Sequence, residues 1–123
     1  MFTLKKPLII KDDRLALTML IGREIAYLRK AKGLSGAELG KSVGLSQQQI
    51  SRYERGIARL DLGLMIYLLS KLDISFNDFI TRLVKEVKVN YPALYRKYHF
   101  LFSSDRNIES TEIFYFKPMN WHR

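Results

Sequence analysis

Apolar residues recur at helical spacing along most of this chain, and where the spacing breaks, polar residues supply caps and turns. Leu17, Leu20, Ile21, Ile25 and Leu28 share one face of a first helix. That helix is expected to begin near Asp12 or Asp13, whose carboxylates suit a positive helix start, and to run to about Lys32. Residues 62–72 are apolar at 62, 64, 65, 66, 68, 69 and 72, too wide a set for a single surface stripe, which predicts a central core helix. Ser75 and Asp78, flanked by Ile74 and Phe79, form a capped and stapled restart. Phe76, Phe79, Ile80, Leu83, Val84 and Val87 then keep a 3.6 period until Asn90-Tyr91-Pro92, where proline drives its predecessor out of helical geometry. Beyond that point aromatics dominate. Residues 93–102 read as a further helix, 103–110 as a polar joint, and Thr111 to Lys117 as a short β-strand. Residues 1–11 read as an extended arm, in which Leu8-Ile9-Ile10 packs on the domain or the lysines touch phosphate.

The most ordered pattern lies in residues 33–56, GLSGAELGKSVGLSQQQISRYERG, which hold two helix-start signatures eleven residues apart. Ser35 with Glu38 and Ser46 with Gln49 each have capping-box spacing, in which hydroxyl and N3 side chain satisfy orphan backbone donors reciprocally. Leu34 with Leu39 and Leu45 with Ile50 stand at staple positions. Gly44 supplies a left-handed reversal between them, and Gly40 lets the second helix approach the first. The expected object is a helix-turn-helix.

This run resembles the lambda-repressor-like (Cro/repressor, XRE) DNA-binding domain. The likeness extends upstream through Ile21-Gly22, Ile25, Leu28, Arg29 and Gly33-Leu34-Ser35, and downstream through residues 60–80. Residues 46–54, SQQQISRYE, resemble a narrower group, the MrpJ-like regulators encoded with enterobacterial fimbrial operons. The resemblance implies a mainly α, five-helix DNA-binding domain over residues 12–90; the arm before it and the extension after it, 91–123, of one helix and one strand, lie outside the resemblance and are read from the residues alone. The second helix of such a motif places its N-terminal residues in the major groove. With Ile50 and Tyr53 facing inward, Gln47, Gln48, Ser51, Arg52 and Arg55 share the outward face. Glutamine pairs bidentately with adenine and arginine with guanine. By resemblance, Gln47 and Gln48 match base-reading positions, Arg52 one that often reads bases, and Arg55 a phosphate contact. Gln49 is divided between cap and base contact. Where many repressors carry a bracing glutamine, Gly36 stands here, leaving its backbone amide for a phosphate. Lys41 and Arg59 are either phosphate contacts or solvated charges. The resemblance also pairs Arg29 with Glu54, against the alternative of a solvated Arg29 worth little.

Composition strengthens this picture in one respect. Across 123 residues, 21 Lys and Arg face 12 Asp and Glu, a net charge of +9 that favours polyanionic partners. Eight of those bases against three acids fall in residues 1–34, and four against two in 35–60, so the excess lies on and before the motif. There is no cysteine, hence no disulfide, thiolate or Cys-based zinc chemistry, in keeping with a bacterial cytoplasm. No export signal and no apolar run of membrane-spanning length is visible. His99 and His122 stand far apart without carboxylate or serine partners, so neither catalysis nor a metal or other cofactor is expected.

The expected partners are therefore double-stranded DNA and a second copy of the chain; no effector is specified. A lone strand leaves its edge unpaired, and Ile113, Phe114, Tyr115 and Phe116 are the candidates for symmetric pairing. The alternatives are a tail folded back on its own domain or paired with Leu8-Ile9-Ile10. By its subgroup resemblance the protein would regulate fimbrial and motility genes. The competing reading is a helix-turn-helix adaptor or antitoxin whose tail binds a protein.

Overall fold

Asp12 starts the first helix: its carboxylate accepts the backbone amides of Arg14 at 3.0 Å and Leu15 at 3.3 Å. In the computed structural model, which describes residues 12–102, six helices follow in order. They are α1 (Asp13–Ala31), α2 (Gly36–Val43), α3 (Gln47–Glu54), α4 (Leu62–Lys71), α5 (Phe76–Asn90) and α6 (Pro92–Phe102). No strand occurs among the described residues. The expected strand at 111–117, with Ile113, Phe114, Tyr115 and Phe116, lies outside them, as does the arm at 1–11.

Side-chain caps set the helix boundaries. Ser35, Ser46, Asp61 and Ser75 each accept an amide three residues on, satisfying donors that a helix leaves open at its start. Leu34, Leu45 and Ile74, the residue before three of those caps, pack against the core. The core itself gathers Leu20 and Ile25 of α1, Leu39 of α2, Ile50 of α3, Met65, Leu68 and Leu69 of α4, and Phe79, Leu83 and Val87 of α5.

Helix α4 differs from its expected role. Met65, Leu68 and Leu69 are buried, but Leu62 and Ile66 are 60 % and 51 % exposed. α4 packs on α2 and α5, while α1 packs on α3 and α5. The wide apolar set on α4 therefore covers a buried face and an open one.

Burial also reaches a charge that apolar periodicity passes over. Glu24 of α1 is 1 % exposed and accepts a hydrogen bond from Arg82 of α5, whose guanidinium stacks on Tyr27 at 4.9 Å from the ring centre. Nearby Glu86 has its pKa raised, first by burial and then by the charge of Glu24.

Helix α6 folds back over α5 and reaches the start of α1. Asp13 accepts hydrogen bonds from Lys97 Nζ at 2.7 Å and the Tyr98 hydroxyl at 2.8 Å. Hydrogen bonding from Lys97 and then Tyr98 holds the Asp13 carboxyl below its ordinary 3.8, while the same carboxylate raises Lys97 above 10.5 and Tyr98 above 10.0. Asp13 thus contributes stability that is present above pH 3.8 and lost as pH falls through its lowered value. Lys97 and Tyr98 contribute in the opposite sense, losing their share as pH rises through their raised values. The clasp should hold from about pH 4 to about pH 10. Asp13→Asn should loosen α6 within that window, seen as a partial loss of amide-exchange protection in 92–102 with 13–90 retained, since Leu94 and Tyr95 still pack on the core.

The tightest crossing is between α1 and α3 at Gly22. A Cβ there would stand 2.7 Å from the Glu54 carbonyl oxygen and 2.9 Å from its carbon, both backbone atoms that cannot turn aside. Gly22→Ala should therefore cost about 1–3 kcal/mol in urea denaturation, as overpacking does. Gly63→Ala, whose Cβ meets only Asp61 Oδ1 at 3.4 Å, should instead gain up to about 1 kcal/mol from helix propensity.

Candidate nucleic-acid interface

Two reciprocal capping boxes build the motif. Glu38 N donates to Ser35 Oγ at 2.9 Å and Ser35 N to Glu38 Oε1 at 2.8 Å, opening α2. Gln49 N donates to Ser46 Oγ at 3.0 Å and Ser46 N to Gln49 Oε1 at 2.8 Å, opening α3. Gly44 joins them in a left-handed conformation (φ 76°), which lets its amide reach back to Lys41 O. Gly40 permits the close contact, since a Cβ there would come within 2.5 Å of Leu45 O. The starts of α2 and α3 also meet: a Cβ on Gly36 would touch Gln47 Cγ at 3.6 Å.

Ile50 is the anchor of α3, 1 % exposed in the core. Opposite it, Gln47, Gln48 and Arg52 are exposed and Ser51 is half-buried. Ser46, Gln47, Gln48 and Ser51 line one open hollow on this face. Gln49 is exposed too, but its Oε1 is engaged in the cap, and bidentate pairing with adenine would require that oxygen to be released. Arg55 lies back along α3, its Nε donating to Ser51 Oγ at 3.1 Å. Two residues assigned separate roles from the sequence thus touch each other, as their i, i+4 spacing allows.

The remaining candidates are more dispersed. Gly36 stands at the first position of α2, beside Gln47, with its amide at the helix start. Lys41 is exposed in the last turn of α2. Arg59 is exposed beyond α3, where it lines a cleft together with Arg14 of α1.

One ion pair ties the end of α3 to α1. Arg29 of α1 donates from Nε to Glu54 Oε2 at 2.6 Å and from Nη2 to Glu54 Oε1 at 3.0 Å, a bidentate fork. Its third nitrogen, Nη1, donates to Leu34 O at 2.8 Å, in the connection between α1 and α2. The two side chains are 13 % and 11 % exposed, and the hydrogen bond to Glu54 raises the Arg29 pKa. The pair fastens the end of α3 to α1, while the contact with Leu34 ties in the entry to α2. Spacing alone carries no signal for that third contact.

Residues 25–79, from mid-α1 to the first turn of α5, match a family model described as helix-turn-helix. They form an XRE-type helix-turn-helix domain. Over 59 residues the chain is 36 % identical to uncharacterised HTH-type transcriptional regulators of Rickettsia conorii and Rickettsia prowazekii, covering 48 % of this chain and 47 % and 45 % of theirs. It is 33 % identical over 61 residues to the antitoxin PezA of Streptococcus pneumoniae, covering 50 % of this chain and 39 % of that one. The chain thus spans less than half the length of these curated relatives. No helix among the described residues is long and apolar enough to cross a membrane.

Breaking the fork should be costly because it leaves its partner buried and uncompensated. Glu54→Ala is expected to lower stability by about 3 kcal/mol. A double-mutant cycle with Arg29→Ala should give coupling well above about 0.5 kcal/mol, the level typical of solvated pairs.

Proposed function

We propose that this protein is a sequence-specific DNA-binding transcriptional regulator that lays α3 in the major groove. The observation that carries this reading is the division of labour on α3: Ile50 and Glu54 hold the helix, while Gln47, Gln48 and Arg52 are exposed and Ser51 joins them on the outward face. Those side chains suit base edges, with Gln47 and Gln48 for adenine and Arg52 for guanine. Arg55, Lys41, Arg59 and the Gly36 amide are the phosphate contacts around them. To reach DNA, Arg55 exchanges its hydrogen bond to Ser51 for a phosphate oxygen, which also frees the serine hydroxyl. The net charge of +9 supplies the long-range attraction.

The regulator acts as a homodimer, paired through Ile113 to Phe116 of the tail, with two recognition helices set about 34–36 Å apart on successive major grooves. Its targets are fimbrial and motility genes, the reading that the SQQQxSRYE block supports through its resemblance to MrpJ-like regulators. A second reading, an antitoxin-like adaptor that binds a protein, is favoured by two observations. One is the likeness to PezA; the other is the pair Phe100 and Leu101 on α6, each 64 % exposed.

Selection of binding sites from random duplexes, followed by mapping of occupied sites in the cell, tests the proposal directly. On the selected site, Ala at Gln47, Gln48 or Arg52 should cost about 1–3 kcal/mol and much less on random DNA. Arg55→Ala should weaken both and reduce the salt slope by about one. Equal losses for all four variants on both DNAs would remove the assigned roles, and failure to enrich any sequence would favour the adaptor.

A further inference from the structure

Behind the reading helix lies a cleft of about 340 Å³ that the DNA-binding reading leaves unused. Its walls come from three places: Arg14, Thr18 and Ile21 of α1, Tyr53 of α3 with the segment 58–61, and Leu62 with Met65 of α4. The volume falls in the range of small-molecule sites, and the lining has their usual make-up of an apolar surface with few polar groups. Ile21, Leu60, Leu62 and Met65 supply the apolar part and Tyr53 an aromatic ring.

The charged groups select the ligand class. Two arginines, Arg14 and Arg59, line the cleft, and neither has a carboxylate within salt-bridge distance among the described residues. The one acid in the lining, Asp61, already accepts the Leu64 amide at 2.7 Å as the cap of α4. Thr18 is likewise engaged, donating to Arg14 O at 2.9 Å. Two arginines against one carboxylate leave the lining net cationic beside apolar and aromatic surface. That combination fits a carboxylate on a compact hydrophobic body.

We propose that this cleft binds a small organic carboxylate with an aromatic or branched apolar body, and that its occupancy weakens DNA binding. The coupling runs through the backbone. Ile57 N and Ala58 N both donate to Arg52 O, at 2.9 and 3.1 Å, and Gly56 N donates to Tyr53 O at 3.1 Å. The segment that walls the cleft is thus bonded to the carbonyls of the last turn of α3, one of them belonging to a base-reading candidate. Arg59 makes the competition direct, because a guanidinium turned to a carboxylate in the cleft is withdrawn from phosphate. The binding site stands on its own geometry; only its regulatory consequence rests on the DNA-binding reading.

Naphthalene-1-carboxylate, with naphthalene-1-methanol as its neutral counterpart, tests the proposal on the full chain without DNA. In an amide NMR titration the carboxylate should shift Thr18, Ile21, Tyr53, residues 58–60 and Met65, and bind about tenfold more tightly than the alcohol. Arg14→Met and Arg59→Met should each remove most of that preference while leaving the weak binding of the alcohol in place, which also shows that the cleft is still formed. Equal affinity for acid and alcohol, a shift map centred elsewhere, or indifference to both substitutions overturns the site. With a selected duplex, saturating carboxylate should lower affinity several-fold in the wild type and not in Arg14→Met, a residue outside the DNA contacts. Binding in the cleft with unchanged DNA affinity overturns the regulatory half alone, and absence of any DNA binding tells against the function proposed above rather than against the cleft.

Discussion

The bidentate pair between Arg29 and Glu54 is the constraint on which the geometry of the motif depends. A helix of eight residues is too short to be stable or well oriented by its own hydrogen bonds, so α3 must be held from outside. It is held at three points. The Ser46 and Gln49 box fixes its start, Ile50 its middle, and Glu54 its end. Only the last of these joins α3 to α1, and the same guanidinium also binds the Leu34 carbonyl that leads into α2. Gly22 works with the ion pair, since the absence of a side chain there brings α1 onto the final carbonyls of α3. A fork between two planar groups tolerates little rotation, so distance and angle are set together.

Much of this fold was legible because its signals are local. A serine cap needs only the backbone three residues on to act, and the helix starts at Gly36, Gln47 and Phe76 follow such caps directly. Proline at 92 similarly separates α5 from α6. The motif's glycines could be read for the same reason, their requirement arising from the turn and the close approach themselves.

What could not be read depends on partners distant in the chain. The apolar breadth of residues 62–72 is compatible with burial all round or with one buried and one open face, and only the packing of α4 on α2 and α5 decides between them. Glu24 belongs to the same class. Its partner Arg82 is 58 residues away, and a single acid within an apolar period carries no mark of being buried. The cleft between Arg14 and Arg59 needs three elements to assemble before it exists at all. On α3 the helix phase separates an inward face from an outward one, but it is silent on Arg55 resting against Ser51.

One asymmetry among the three consecutive glutamines bears on how such a protein changes over time. Gln49 belongs to the scaffold, because its side chain closes the cap of the helix that carries it. Gln47 and Gln48, its immediate neighbours, are exposed and take no part in that cap. If α3 reads bases as proposed, replacements at 47, 48 and 52 alter the preferred base sequence with little penalty in folding, whereas a replacement at 49 also loses the side-chain bond that closes the cap. Lineages descended from such a chain are expected to diverge in the sites they occupy faster than in the framework that presents the reading residues.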